Sequence, residues 1–206
     1  MLSQRTSRRC VAALLLVLAA GALPASAQSG AVPLVVPTPA GRDASSTSAP
    51  FALLLTEVWL HRRSSTSAIP PRNSNADLRH SASGASVDVF TATRALSRGE
   101  LTTSLNQLER DNAGSEGYLV LYEPGVRRDA AHRLLLTREV AVILGSSGSA
   151  TEILRGRRAR PVNGVSGAYV VEAADPLDSI ALSAELRRQP SVQDAYPLLK
   201  RSGLAR

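Results

Sequence analysis

Cysteine and aromatic residues are both scarce in this sequence. The only cysteine is Cys10, and phenylalanine, tyrosine and tryptophan together make up 3% of the 206 residues. Cys10 lies in an N-terminal segment that we expect to be removed, so the remaining chain has no disulfide, no thiol nucleophile and no cysteine ligand for a metal. We therefore expect the fold to be stabilised by packing alone.

Basic residues outnumber acidic residues, but they do not form the pattern of a nucleic-acid-binding surface. The formal net charge is +7, and the loss of Arg5, Arg8 and Arg9 with the N-terminal segment lowers it to +4. A nucleic-acid-binding protein combines a dense basic stripe with aromatic side chains that stack on bases. Because the arginines are scattered and the aromatics are few, we interpret them as solvated surface charge and predict no nucleic-acid partner.

Residues 1–27 have the three parts of a secretory signal peptide. Three arginines precede an apolar run over residues 10–23, and the small residues 25–27 provide a signal peptidase site. As a helix, about fourteen residues span roughly 21 Å, less than the roughly 30 Å of a bilayer core, which favours cleavage over the alternative of a retained membrane anchor. We therefore expect a periplasmic or secreted protein with no membrane attachment after cleavage.

The next two segments differ in character. Residues 28–50 are rich in Ser, Ala, Pro and Gly and lack apolar periodicity, which predicts a flexible linker. Residues 51–115 contain an apolar run at 51–60, an alternating segment at 87–93 and leucines at helical spacing over 100–110. These patterns predict a small strand-strand-helix region with a long loop between its strands. They do not indicate a catalytic or binding role for this region.

Residues 116–206 alternate between strand and helix patterns. From Arg138 onward the predicted order is strand, helix, strand, strand, helix, strand, which is typical of a ferredoxin-like split βαβ fold. The sequence therefore predicts an α+β domain with an antiparallel four-stranded sheet, two helices on one face and the other face open to a partner. The predicted strands are 139–144, 159–162, 169–173 and 191–198, and the predicted helices are 149–155 and 175–188.

The second of these helices has the clearest signals. Asp175 is a predicted N-cap, with Pro176 at the first helical position. The spacing places Leu177, Ile180, Ala181 and Ala184 on the main apolar stripe, and we interpret Leu182 and Leu186 as widening that buried face.

Three phrases in this half form a recognisable series: residues 135–142 (LLTREVAV), residues 167–172 (GAYVVE) and residues 184–197 (AELRRQPSVQDAYP). In this order they resemble the propeptide of bacterial secreted subtilisin-like serine proteases. The resemblance covers about residues 118–206. It implies a ferredoxin-like unit that docks its sheet face on the protease and places its C-terminal tail in the active-site cleft like a product.

The resemblance also implies the residues that bind the protease. Either Arg206 or the pair Lys200-Arg201 would present a basic side chain to an acidic specificity pocket, and before docking we expect a frayed terminus. We interpret Tyr196, on the adjoining strand, as a core residue rather than a contact. The tail residues that match are Leu199, Lys200, Arg201, Ser202, Gly203, Leu204, Ala205 and Arg206.

Catalytic residues are not predicted. A protease precursor would continue past residue 206 into a catalytic domain, and this sequence lacks the family's Gly-Thr-Ser-Met-Ala phrase and its aspartate motif. We interpret His61, His80 and His132 as surface or packing residues, and no metal-ligand spacing occurs. We therefore expect a non-enzymatic protein without a cofactor. Acidic residues on the predicted elements are interpreted as surface groups: Glu139, Glu152, Glu172 and Asp194.

The function that these predictions favour is that of an external chaperone and inhibitor of a subtilisin-like serine protease. Two alternatives remain open. One is an envelope binding or assembly module without a protease partner, in which residues 51–110 would be the working part. The other is an inhibitor of foreign proteases with no chaperone role.

Overall fold

The computed structural model describes residues 30–39, 48–62, 70–84, 86–123, 125–146 and 148–201. The predicted signal peptide, residues 1–27, lies outside the described residues. Within those ranges, no helix combines the length and the apolar character that crossing a bilayer requires.

The N-terminal part of the fold consists of five strands and one helix. Helix α1 begins with a capping box, in which Ser97 accepts a hydrogen bond from the Glu100 amide and the Glu100 carboxylate accepts one from the Ser97 amide. The elements are β1 (Ala31–Pro37), β2 (Ser48–Arg62), β3 (Leu78–Ser83), β4 (Val87–Ala92), α1 (Arg98–Asp111) and β5 (Ser115–Tyr122).

The C-terminal part adds four strands and two helices. The longer helix, α3, has Asp175 as its N-cap and Pro176 in its first turn, and this confirms its predicted start. The elements are β6 (Arg133–Leu144), α2 (Ala150–Ile153), β7 (Ala159–Pro161), β8 (Ala168–Glu172), α3 (Pro176–Arg187) and β9 (Val192–Arg201).

All nine described strands belong to one sheet, and every pair is antiparallel. The order along its main path is β3-β4-β2-β5-β6-β8-β7, with β1 paired to the first half of β2 and β9 paired to β6. β2 and β6 are long enough that two strands share one of their edges. β1 and β4 lie along one edge of β2, and β5 and β8 lie along one edge of β6.

The two faces of the sheet differ because side chains alternate along each strand. Leu119 and Leu121 of β5 point toward the helices, where they join a main core that includes Leu101, Leu105 and Leu108 of α1. Beside it, a C-terminal core packs Val140 and Val142 of β6 against Leu182 and Leu186 of α3. The opposite face, which no helix of the described residues covers and which we call the helix-free face, carries an aromatic cluster that includes Trp59, Tyr118, Val120, Tyr122 and Leu135.

The predicted fold class, a ferredoxin-like split βαβ with an antiparallel four-stranded sheet and two helices on one face, is wrong. The described strands instead form one nine-stranded sheet. The physical reason is β6, which begins at Arg133 rather than Glu139 and therefore also reaches β5. β5 pairs with β2 in turn, so hydrogen bonds continue from the C-terminal strands into the N-terminal ones.

Two segments without a predicted strand pattern also form strands. β1 lies inside the predicted linker, residues 28–50, because Leu34 and Val36 alternate with exposed neighbours and are buried in the main core. β3 lies inside the predicted loop, and only its first residue, Leu78, is buried. The predicted boundary between residues 115 and 116 falls at the start of β5, which pairs with strands on both sides of that boundary.

Candidate protein-binding site

The eight tail residues predicted to bind a protease divide into two groups. Leu199, Lys200 and Arg201 are the last residues of β9 and pair with Leu136, Leu135 and Leu134 of β6. They are therefore part of the sheet rather than a frayed terminus. The other five lie outside the described residues: Ser202, Gly203, Leu204, Ala205 and Arg206.

A local irregularity separates this end of β9 from the rest of the strand. The pairing with β6 shifts register between Leu136 and Val140, and Thr137 lies fully buried in the gap. The Thr137 hydroxyl donates to the Leu198 carbonyl oxygen (2.9 Å) and accepts from the Glu139 amide (3.1 Å). One side chain thus connects the irregular segment of β6 to β9.

Lys200 reaches across the helix-free face to β5. Its ammonium nitrogen lies 3.0 Å from the Tyr118 hydroxyl oxygen, 4.8 Å from the centre of the Tyr118 ring and 3.8 Å from a Glu116 carboxylate oxygen. The Tyr118 hydroxyl donates to that same Glu116 carboxylate (2.8 Å). The ammonium therefore has a hydrogen-bond acceptor, an aromatic ring and a carboxylate around it.

Burial and the neighbouring carboxylate both raise the pKa of Tyr118. Desolvation raises the pKa of the phenol well above its ordinary value of 10.0, and its hydrogen bond to Glu116 raises it further. At neutral pH the phenol is protonated, as an ordinary tyrosine is, and it donates to Glu116 and accepts from Lys200.

Arg133 covers another part of the aromatic cluster in the same way. Its guanidinium lies 5.6 Å from the centre of the Trp59 ring, donates to the Tyr122 hydroxyl (3.1 Å) and pairs with Glu57 (3.3 Å). The Trp59 indole N–H donates to Glu57 as well. Long charged side chains thus shield the aromatic rings where helices are absent.

Farther along the helix-free face, the surface of β6, β8 and β9 is partly apolar. Ala141 and Ile143 point away from the C-terminal core and are partly exposed, as is Tyr196, which pairs with Ala141. Glu139 and Glu172, directly opposite each other on β6 and β8, flank this surface. The interpretation of Tyr196 as a core residue is therefore only partly met, because its side chain remains accessible to a partner.

A polar cleft of about 580 Å³ lies beside this surface. It contains four arginines and three glutamates, and each arginine has a carboxylate within 4.0 Å. Burial alone would lower the pKa of Arg138, but Glu109 and Glu172 raise it overall. Because the charges compensate one another, the cleft is a network of ion pairs rather than an anion site. Its charged lining residues are Glu116, Arg138, Glu139, Arg157, Arg158, Arg160 and Glu172.

The β3–β4 hairpin brings together the residue types of a hydrolytic triad, a grouping that was not predicted from sequence. The His80 Nε2 atom lies 3.0 Å from the Ser83 hydroxyl and 3.3 Å from a carboxylate oxygen of the buried Asp88. Ser83 itself donates to that oxygen (2.6 Å), and Arg62 pairs with the other carboxylate oxygen (2.8 Å). In a triad, the serine and the aspartate contact opposite nitrogens of the histidine. Here both contact Nε2, so the arrangement ties the hairpin to β2 and is not that of a nucleophile with its base.

The remaining predicted surface residues are mostly as expected. His132 is exposed and contacts Asp129 (2.7 Å), whereas His61 is partly buried beside the Tyr118 ring. The interpretation of Asp194 as a surface group is wrong, because it is 4% exposed and pairs with Arg187 of α3 (2.9 Å). Among the described residues, no three His, Cys, Asp or Glu side chains are grouped as a metal site.

Comparison with protein-family models, with curated proteins and with solved structures finds no match to this chain.

Proposed function

We propose that this protein is an exported chaperone and inhibitor that binds a subtilisin-like serine protease, assists its folding and blocks its active site with the C-terminal residues that follow β9. The proposal starts from the three phrases that resemble subtilisin-like propeptides. The observation that supports it is that these phrases occupy neighbouring elements in space. Residues 135–142 lie in β6, residues 167–172 reach through β8, and residues 184–197 run from α3 into β9.

The packing of these elements makes them one unit. β6 lies between β8 and β9, and α3 packs on β6 through the C-terminal core. The partly apolar surface of Ala141, Ile143 and Tyr196 lies on the opposite face and is available to a partner. A protein surface of this kind, with a small apolar centre and charged residues around it, is typical of protein–protein interfaces.

Chaperone and inhibitor roles follow from the same contacts. A protein that binds the folded protease more tightly than the unfolded chain shifts the folding equilibrium toward the folded state. If the C-terminal residues occupy the substrate cleft at the same time, the complex is also inactive. No catalytic group of this chain takes part in either effect.

Refolding and inhibition of a bacterial subtilisin test the proposal. We expect the protein without residues 1–27 to raise the yield of active subtilisin after dilution from denaturant and to inhibit the native enzyme. A variant that ends at Arg201 keeps β9 and should inhibit at least about tenfold more weakly, which corresponds to about 1.4 kcal/mol of binding free energy.

The exchange Thr103→Ala provides the control, because Thr103 is exposed on α1, which packs on the opposite face of the sheet from the proposed surface. This variant should inhibit like the unmodified protein. Equal inhibition by the truncated variant would contradict the role of the tail. The alternative, an envelope assembly module without a protease partner, predicts neither refolding assistance nor inhibition.

A further inference from the structure

The end of β9 is attached to the sheet more weakly than the rest of the strand. Residues 192–197 pair with β6 over the C-terminal core, whereas Leu199–Arg201 pair with only three residues of β6 beyond the irregularity. Among the described strands, β9 hydrogen-bonds to β6 alone. Loss of the contacts of Leu199–Arg201 would therefore leave the pairing of residues 192–197 in place.

Besides the backbone pairing with β6, three contacts hold this end in the sheet. Leu199 is partly buried against the main core, the Thr137 hydroxyl donates to the Leu198 carbonyl, and Lys200 contacts Tyr118 and Glu116. The Lys200 contact differs from the others because it reaches across β6 to a third strand. The Lys200 side chain is also 47% exposed, so water and a partner protein have access to the ammonium group.

We propose that Leu199–Arg201 form a detachable strand end, that Tyr118 and Glu116 latch it through Lys200, and that a protein groove lined by carboxylates displaces it from the sheet. This inference rests on the proposed function. A phenol oxygen and a carboxylate hold the ammonium in the free protein, and a groove with carboxylates offers the same kind of acceptor. The exposed Arg201 next to Lys200 adds a second cation that such a groove binds.

The latch sets the affinity for the partner. When only a fraction of the molecules has the strand end released, the apparent dissociation constant is the intrinsic one divided by that fraction. Weakening the latch from the β5 side increases the released fraction and leaves Lys200 available to the partner. Binding should then become tighter, although no contact with the partner has been added.

Hydrogen exchange tests the latch in the protein without residues 1–27. The double variant Glu116→Gln with Tyr118→Phe removes the carboxylate and the hydroxyl that hold Lys200. We expect several-fold faster exchange of the Leu199–Arg201 amides and unchanged exchange of residues 192–197. Glu123→Gln, an exposed carboxylate directly after β5, is the matched control and should leave both segments unchanged. Exchange of Leu199–Arg201 at the unmodified rate in the double variant would overturn the latch.

Lys200→Gln separates the latch from the binding role of the tail. It breaks the latch from the β9 side, so the Leu199–Arg201 amides should again exchange several-fold faster than in the unmodified protein. If the double variant folds poorly, this variant still tests the latch. As a probe we choose a subtilisin-like protease that cleaves after paired basic residues. Its inhibition should be several-fold tighter for the double variant and weaker for Lys200→Gln than for the unmodified protein.

The outcomes distinguish this inference from the function on which it rests. Faster exchange combined with weaker inhibition by the double variant would show that a carboxylate-lined groove is not the partner that displaces the strand end. If none of the proteins inhibits the probe or the bacterial subtilisin, the proposed function is wrong, and so is the proposal that a carboxylate-lined groove binds the strand end. The exchange rates then still decide whether the strand end is latched.

Discussion

Tyr118 shows how a single residue connects stability with the proposed binding site. Its ring belongs to the aromatic cluster and is 2% exposed, yet its hydroxyl contacts Glu116 and Lys200 at the edge of that cluster. A buried hydroxyl without partners would destabilise the fold. The charged neighbours therefore satisfy the phenol, and the phenol holds the end of β9.

The raised pKa of Tyr118 predicts a loss of stability at alkaline pH. The folded state holds the phenolic proton more tightly than the unfolded state, whose tyrosine ionises near pH 10. The stability gained from this difference is complete below about pH 10 and decreases as the pH rises above it. We expect the urea midpoint of the unmodified protein to fall more steeply between pH 9 and pH 11 than that of Tyr118→Phe.

Tyr196→Phe is the control for this measurement, since it removes a hydroxyl from β9 and leaves Tyr118 intact. It should keep the steep alkaline decrease of the unmodified protein. An equally steep decrease in Tyr118→Phe would show that other groups cause it.

At the scale of secondary structure elements, local patterns located most of the buried elements. The predictions for β2, β4, α1 and α3 are confirmed within a few residues because their apolar spacing or caps are strong local signals. β3 could not be predicted, since five of its six residues are exposed and a period of two is not visible. The first half of β6 has no strand prediction either, since Leu134, Leu135 and Leu136 are consecutive, are buried on both faces of the sheet and show no period of two.

Helix α3 was placed correctly, but the prediction of its buried face was only partly right. Leu182 and Leu186 are buried, whereas Ala181 of the predicted main stripe is exposed. Ser179 and Ser183 are also buried, and each hydroxyl donates to a backbone carbonyl three residues earlier. Serines whose hydroxyl groups hydrogen-bond to the backbone of their own helix can face a core, and a search for apolar periodicity does not find them.

The contact between α1 and β5 predicts a large effect from one methyl group. A Cβ atom at Gly117 would lie 2.5 Å from Leu105 Cδ1 and 2.6 Å from Leu105 Cγ, and Leu105 is fully buried. Because a packed core relaxes only partly, Gly117→Ala should lower the free energy of unfolding by about 1–3 kcal/mol, measured by urea denaturation.

Gly99→Ala is the matched control for this prediction. Gly99 lies in the first turn of α1, and a Cβ atom there has no neighbour within 4 Å. Alanine also reduces the entropy of the unfolded chain, so this variant should be as stable as the unmodified protein or more stable by up to about 1 kcal/mol. Equal stability of the two variants would contradict the close packing of Gly117 on Leu105.

At the scale of the whole molecule, the topology depends on pairings that no local pattern specifies. The register of β5 with β2 and β6 joins residues far apart in sequence, and it determines that the chain forms one sheet. The position of the candidate site follows from the same pairings. Lys200 and Tyr118 are 82 residues apart in sequence and meet only because β6 lies between their strands.

One continuous sheet predicts one cooperative unfolding transition. Trp59 is the only tryptophan of the chain and lies on β2, so its fluorescence reports on the N-terminal part of the sheet. Leu186 is fully buried in the C-terminal core, which does not include Trp59. Truncation of a buried leucine costs about 2–5 kcal/mol. In Leu186→Ala, the urea midpoint measured by Trp59 fluorescence should therefore decrease as much as the midpoint measured by circular dichroism, because β5 and β6 transmit the loss of the C-terminal core to β2. A fluorescence midpoint that stays unchanged while circular dichroism detects an earlier transition would mean that residues 51–115 and 116–206 unfold independently despite their shared sheet.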